Sequence, residues 1–199
     1  LYTSISKSDR QELDFDKIRD QIQKNYDKSG TSLCKVISDE GFSSSPWPSE
    51  IAYRIHQIYP NAKILIIIRS QIDAIKSFYL SHGRIPSGNV PRHMKNQKIP
   101  FSEWLDDNLL RVENNVYNRL DHQYFKTLNY RHLILPYISV FGKSNVRVLL
   151  FEEMVNSPQL FFTSLFEYLG LDYSKSDDTH RLEQVNQRGS YFEFQYDAI

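Results

Sequence analysis

The chain has 199 residues, with 24 Lys plus Arg against 24 Asp plus Glu, and one cysteine. That length buries one core as a single domain, 1–199. The balanced charge gives no general attraction to nucleic acid or acidic membranes, so any anion site has to be local. Cys34, alone, excludes an intramolecular disulfide framework and a cysteine-built metal site. It reads as a buried, inert residue and fits a reducing compartment, though a secreted domain with one cysteine is not forbidden. No apolar run approaches the length of a membrane span, and no signal peptide is visible. The chain begins at Leu1 rather than at a methionine.

In chain order, Leu13, Phe15, Ile18, Ile22 and Tyr26 recur at helical spacing and predict an amphipathic helix started by Ser8 and Asp9. Lys28-Ser29-Gly30-Thr31-Ser32 reads as a turn. Ser32 to Ser38 (SLCKVIS) predicts a short strand, followed by Asp39-Glu40-Gly41-Phe42 and a Ser/Pro loop to Pro48. Ser49 to Tyr59 predicts a helix with the stripe Ile51, Ile55, Ile58, closed by Tyr59-Pro60. Lys63 to Ile68 is the isoleucine-rich run of a strand covered on both faces. Arg69 ends it. Ser70 is a good N-cap, Asp73 completes a capping-box-like S-x-x-D, and Ala74, Ser77 and Phe78 follow at helical spacing. The β-α-β-α alternation predicts a parallel sheet with right-handed crossovers.

The corner at Arg69 has chemical content. A strand running into a helix presents free N–H groups and the positive end of the helix dipole at the sheet's carboxyl edge. Arg69 would stand there with a forked, permanent charge suited to phosphate. Ser70, Ala74 and Ser77 share nearly one helix face, so an anion at Arg69 would also be within reach of the Ser77 hydroxyl. The alternative is plainer: Arg69 caps a neighbouring helix and Ser77 is solvated.

Ser81 to Pro100 predicts a basic, Gly- and Pro-containing loop, either an acceptor-binding lid or a solvated connector. Phe101 to Leu109 begins a helix, and Asn114 to Val140 is helical in parts with a kink or restart at Pro136. No HxxxH or H-E-x-x-H pattern occurs, and no metal is expected. Gly142 ends a helix. Val146 to Phe151 predicts a second buried strand with Glu152 and Glu153 at its carboxyl end. Glu152 either holds an arginine of a neighbouring element or takes part in chemistry. Pro158 to Leu169 predicts a helix capped by Gly170.

Arg69, seven residues, then Ser77, after P-x-A-K-I, resembles the 3′-phosphate-binding segment of sulfotransferases that use 3′-phosphoadenosine 5′-phosphosulfate (PAPS). The string I-R-S-Q-I-D-A-I-K-S-F-Y is especially similar to a bacterial branch of that family. Phe141 to Asp172, a strand, an acidic E-E-M turn and a helix ending in L-G-L, resembles it too. Together the two blocks cover most of the chain from Lys35 onward. The resemblance implies an α/β fold, a three-layer α/β/α sandwich with a small parallel sheet, related to the P-loop nucleoside triphosphate hydrolases. It implies transfer of a sulfuryl group from PAPS to a hydroxyl or amine, with Arg69 and Ser77 on the 3′-phosphate.

By order, and by likeness to the branch's I-S-x-E-G, Glu40 matches the general base that deprotonates the acceptor. Asp39 is the other candidate, and Glu40 is otherwise a loop carboxylate or a helix cap. Arg188-Gly189 matches a basic-Gly pair that closes over the nucleotide, or is a plain turn. The family's P-K-x-G-T-T phosphosulfate loop has no match here and is expected upstream of Leu1; the C-terminus is also expected to continue. The acceptor and the oligomeric state are not legible. A kinase of related fold, or a non-catalytic nucleotide-binding relative, are the rival readings.

Overall fold

The computed structural model describes residues 13–27, 36–39, 41–45, 47–85, 96–114 and 120–171. The first helix, α1 (Phe15–Asp27), starts behind Asp14, whose Oδ1 accepts the Lys17 N–H at 2.9 Å. A carboxylate there satisfies one of the orphan N–H groups of the first turn. Ser8 and Asp9, expected to start this helix, lie outside the described residues. Ile18 and Ile22 bury its stripe against Ile58. Residues 36–39 are irregular and Val36 is exposed, so the described end of the strand expected over Ser32–Ser38 is not a strand. Asp39 instead starts a one-turn helix, α2 (Gly41–Ser44), its Oδ1 accepting the Gly41 N–H at 2.7 Å. That turn is pinned to the core by Tyr137, whose hydroxyl donates to the Phe42 carbonyl at 3.0 Å.

Helix α3 (Pro48–Ile58) begins on a proline, whose missing N–H costs nothing at that position, and buries Ile51, Ala52 and Ile58. Strand β1 (Ile64–Ile68) then feeds α4 (Gln71–Phe78). The helical course does not stop where the basic loop is expected. It continues through a wider turn, Tyr79–Gly83, in which the Arg84 N–H reaches the Tyr79 carbonyl at 2.7 Å. Next come α5 (Phe101–Glu113), α6 (Leu120–Thr127) and α7 (Tyr130–Phe141). The break expected at Pro136 falls earlier, at Leu128–Asn129, where Asn129 Oδ1 caps the His132 N–H at 3.2 Å. Pro136 lies inside a continuous α7, because Leu133, Tyr137 and Phe141 bury one stripe across it. Gly142, at φ 80°, ends α7. A short turn leads to β2 (Val146–Leu150), α8 (Phe151–Asn156) and α9 (Pro158–Leu169), the last closed by Gly170 at φ 75°. Both glycines supply a backbone conformation that a side chain strains. Phe151, expected to end the second strand, is the first residue of α8.

β1 and β2 pair in parallel, from Ile64 opposite Val146 to Ile68 opposite Leu150. On one face Ile64, Ile66, Ile68, Val146 and Val148 pack on α3 and α7. On the other, α9 crosses the start of the strands: the Tyr168 hydroxyl donates to the Ile64 carbonyl at 3.1 Å, and Arg147 to Ser164 Oγ at 2.7 Å. Leu65 and Ile67 on that face stay 37% and 49% exposed, so β1 is not covered on both faces by the described residues. The described fold is therefore mostly helical, with a two-stranded parallel sheet: an α/β arrangement coarser than the expected three-layer sandwich.

A second core gathers Tyr79, Ile99, Trp104 and Phe125 below the wide turn. Gly83 lies against the Trp104 indole, where an added Cβ would stand 2.5 Å from ring atoms. Gly83→Ala is expected to destabilise the chain by about 1–3 kcal/mol, read as a lower urea midpoint at unchanged slope. An unchanged midpoint would show that the ring yields.

Candidate functional site: the corner at Arg69

Because β1 and β2 are parallel and in register, their carboxyl ends lie side by side, with Ile68 opposite Leu150. The next two residues of each strand, Arg69-Ser70 and Phe151-Glu152, consequently meet. The Arg69 guanidinium lies over the Phe151 ring, with Cζ 5.0 Å from the centroid. A flat, weakly hydrated cation is stabilised there by the ring's negative face. The Ser70 N–H donates to Glu152 Oε1 at 2.7 Å. Ser70 Oγ accepts the Asp73 N–H at 3.5 Å, half of the expected capping box. Glu152, from the neighbouring strand's end, takes the half anticipated for Asp73.

Two further elements brace the corner. The Tyr130 hydroxyl, at the start of α7, donates to the Arg69 carbonyl at 2.7 Å. Gln71 Nε2 donates to the Leu128 carbonyl at 2.7 Å, and the Tyr124 hydroxyl to the Ala74 carbonyl at 3.2 Å. With its backbone held on both sides, the Arg69 side chain keeps one buried donor unsatisfied: Nε has no hydrogen-bond partner. Among the described residues no carboxylate forms an ion pair with Arg69.

Ser77 is half-buried on α4, seven positions after Ser70, and its carbonyl accepts the Ser81 hydroxyl at 2.8 Å. Beside it Phe78 stacks on Tyr124, centroids 3.9 Å apart, and on His82 at 4.9 Å. The Asp39 carboxylate accepts the Gly41 N–H as the α2 cap. Glu40, Arg188 and Gly189 lie outside the described residues. The described residues hold no cluster of metal-ligating side chains, and none of their helices is long and apolar enough to cross a membrane.

Tyr130, Tyr124 and Phe151 are the corner residues that sequence reasoning missed. A signal for Tyr130 was present: Asn129 is a strong N-cap type, and a helix starting there puts Tyr130 at its first position. Nothing local marks Phe151 as a platform for Arg69.

The corner's electrostatics are read in its phenols. Burial raises the Tyr124 pKa above that of a free phenol; the nearby Tyr130 adds to this and the Arg69 charge opposes it. Burial also raises that of Tyr130, the Glu152 charge adding to this and the Arg69 charge opposing it.

No protein-family model matches the chain, and no curated protein matches it. Among solved structures it is similar to a sulfotransferase from Alicyclobacillus acidocaldarius, with a TM-score of 0.59 and 24% identity. The fold is like that sulfotransferase's. The likeness covers 84% of this chain and 62% of that one, so the chain spans less than two thirds of the sulfotransferase it matches.

Raised phenol pKa values favour the folded state while the phenols are neutral. The stability they contribute is fully present below the unfolded value of about 10 and is lost as pH rises through the folded values. Urea midpoints are expected to fall as the solution is taken above that pH, and the fall to be smaller in Tyr130→Phe. Equal slopes in the two proteins would show that Tyr130 is not among the shifted groups.

Proposed function

We propose that the chain carries a sulfotransferase site that moves a sulfuryl group from PAPS to a hydroxyl or amine of an acceptor. One observation supports this most: Arg69 stands at the carboxyl end of β1 with a buried Nε donor unsatisfied and no described carboxylate paired to it. Leaving such a donor without a partner costs about 1–3 kcal/mol. A phosphate oxygen would satisfy it, and a guanidinium offers phosphate a two-point contact. The residues present therefore fit the 3′-phosphate of the nucleotide, in a chain whose fold likeness is to a sulfotransferase.

On this reading Arg69 binds and orients the 3′-phosphate, and the Ser77 hydroxyl donates to it from two turns along α4. Glu40 takes the acceptor's proton as its oxygen or nitrogen attacks, which raises the nucleophilicity of an otherwise weak group. Arg188 and Gly189 close over the nucleotide. The nucleotide, when bound, supplies the activated sulfuryl group. Positioning and fixed positive charge do most of the work, as in other transfers between oxyanions, and no metal is called for. The three-layer P-loop-like sandwich, a cytoplasmic setting and an acceptor other than nucleic acid belong to the same reading.

The test is a thermal-shift titration with adenosine 3′,5′-bisphosphate, the product nucleotide, against ADP with Mg²⁺. The bisphosphate is expected to stabilise the wild type without metal, by mass action on the folded state. Arg69→Ala is expected to lose about 1.5–3 kcal/mol of that binding and Ser77→Ala about 0.5–1.5 kcal/mol. Preference for ADP-Mg²⁺ would favour a kinase. Unchanged bisphosphate affinity in Arg69→Ala would overturn the assignment of the site.

A further inference from the structure

We infer that Glu152 is a positioning residue for the anion site, acting through the backbone of the Arg69-Ser70 corner; this rests on the proposed reading of Arg69. The geometry is specific. Glu152 Oε1 accepts the Ser70 N–H at 2.7 Å, while Phe151, its chain neighbour, carries the guanidinium of the preceding residue, Arg69. One two-residue step, Phe151-Glu152, thus grips one two-residue step, Arg69-Ser70, at both side chain and backbone. The Tyr130 hydroxyl closes the grip on the Arg69 carbonyl.

The sign of the charge makes the role testable. A carboxylate at the edge of an anion site opposes anion binding by repulsion. It also fixes the peptide that aims Arg69, and a donor held in place loses less conformational freedom on binding. The two effects separate in one pair of variants. Glu152→Gln keeps an oxygen for the Ser70 N–H and removes the charge. Glu152→Ala removes both. If positioning is the role, the glutamine variant binds as tightly as the wild type or more tightly, and only the alanine variant is impaired. If the carboxylate is itself a reacting or ion-pairing group, both variants are impaired alike.

The experiment measures two quantities on the full chain: affinity for adenosine 3′,5′-bisphosphate by calorimetry, and hydrogen exchange at the Ser70 amide. In Glu152→Ala the amide is expected to exchange about tenfold faster and the bisphosphate to bind about tenfold more weakly, the value of one hydrogen bond to a charged group. In Glu152→Gln both quantities are expected to stay near wild type, or affinity to rise. Wild-type affinity in Glu152→Ala overturns the inference, as does equal impairment in Glu152→Gln. A wild type that does not bind the bisphosphate overturns the proposed function instead, and the exchange arm, read without ligand, then decides whether Glu152 holds the corner. Should Glu152→Ala fail to fold, Tyr130→Phe tests the same grip from the Arg69 carbonyl, with the same weaker binding expected and unchanged binding overturning it.

Discussion

The parallel register of two short strands is the constraint on which the rest of the site depends. Setting Ile68 opposite Leu150 brings the two strand ends level, and everything at the corner follows from that alignment. A shift of one residue would turn each side chain of one strand to the other face. It would take Glu152 away from the Ser70 N–H and Phe151 away from the guanidinium. The register is fixed in turn by burial: Ile66 and Val148, opposite each other, lie within the cluster built by α3 and α7. The hydrophobic core and the polar corner are thus two consequences of one alignment.

A corner made this way differs from a free helix N-terminus. The first N–H of the strand-to-helix junction is spent on Glu152, so the helix dipole alone is not what the site offers an anion. On the proposed reading, an anion meets the Arg69 side chain, held by the peptide on one side and by an aromatic ring beneath. Tyr124 and Tyr130 enclose the corner from α6 and α7, their hydroxyls donating to backbone carbonyls. Their single donor protons are spent on the backbone, so the Arg69 guanidinium, whose Nε has no hydrogen-bond partner, is the group at the corner left to meet a ligand that brings its own negative charge.

The corner itself was legible in the sequence because the pattern changes within one residue. An unbroken isoleucine run stops at Arg69, and Ser70 opens helical spacing at once. The bounds of α9 were legible for equally local reasons, a proline at its first turn and a glycine in the left-handed region at its end. The brace was not legible, because Glu152 finds its partner 82 positions away in sequence. Its place at the strand's carboxyl end suggested a hold on a neighbouring element's arginine or a part in chemistry, whereas the bond it makes is to the Ser70 N–H, beside Arg69. The S-x-x-D signal was half right for the same reason: Ser70 does cap Asp73, and the reciprocal bond went to a residue brought there by tertiary structure. Pro136 misled because a missing N–H reads locally as a helix end, whereas a buried stripe on both sides of it holds α7 continuous. The two-sided cover expected for β1 failed on Leu65 and Ile67, whose apolar character says nothing about what lies beside them. Glu40, Arg188 and Gly189 lie outside the described residues, so their assignment rests on resemblance alone.

The central claim is that the Arg69 guanidinium and the 3′-phosphate of a nucleotide recognise each other directly. A calorimetric double cycle tests it: wild type and Arg69→Ala, each against adenosine 3′,5′-bisphosphate and against adenosine 5′-monophosphate, which lacks the 3′ group. Direct recognition predicts non-additivity. Removing the phosphate should weaken binding strongly in the wild type and hardly at all in Arg69→Ala, with a coupling of about 1.5–3 kcal/mol. Additive losses, with the 3′-phosphate worth as much in Arg69→Ala as in the wild type, would contradict the account.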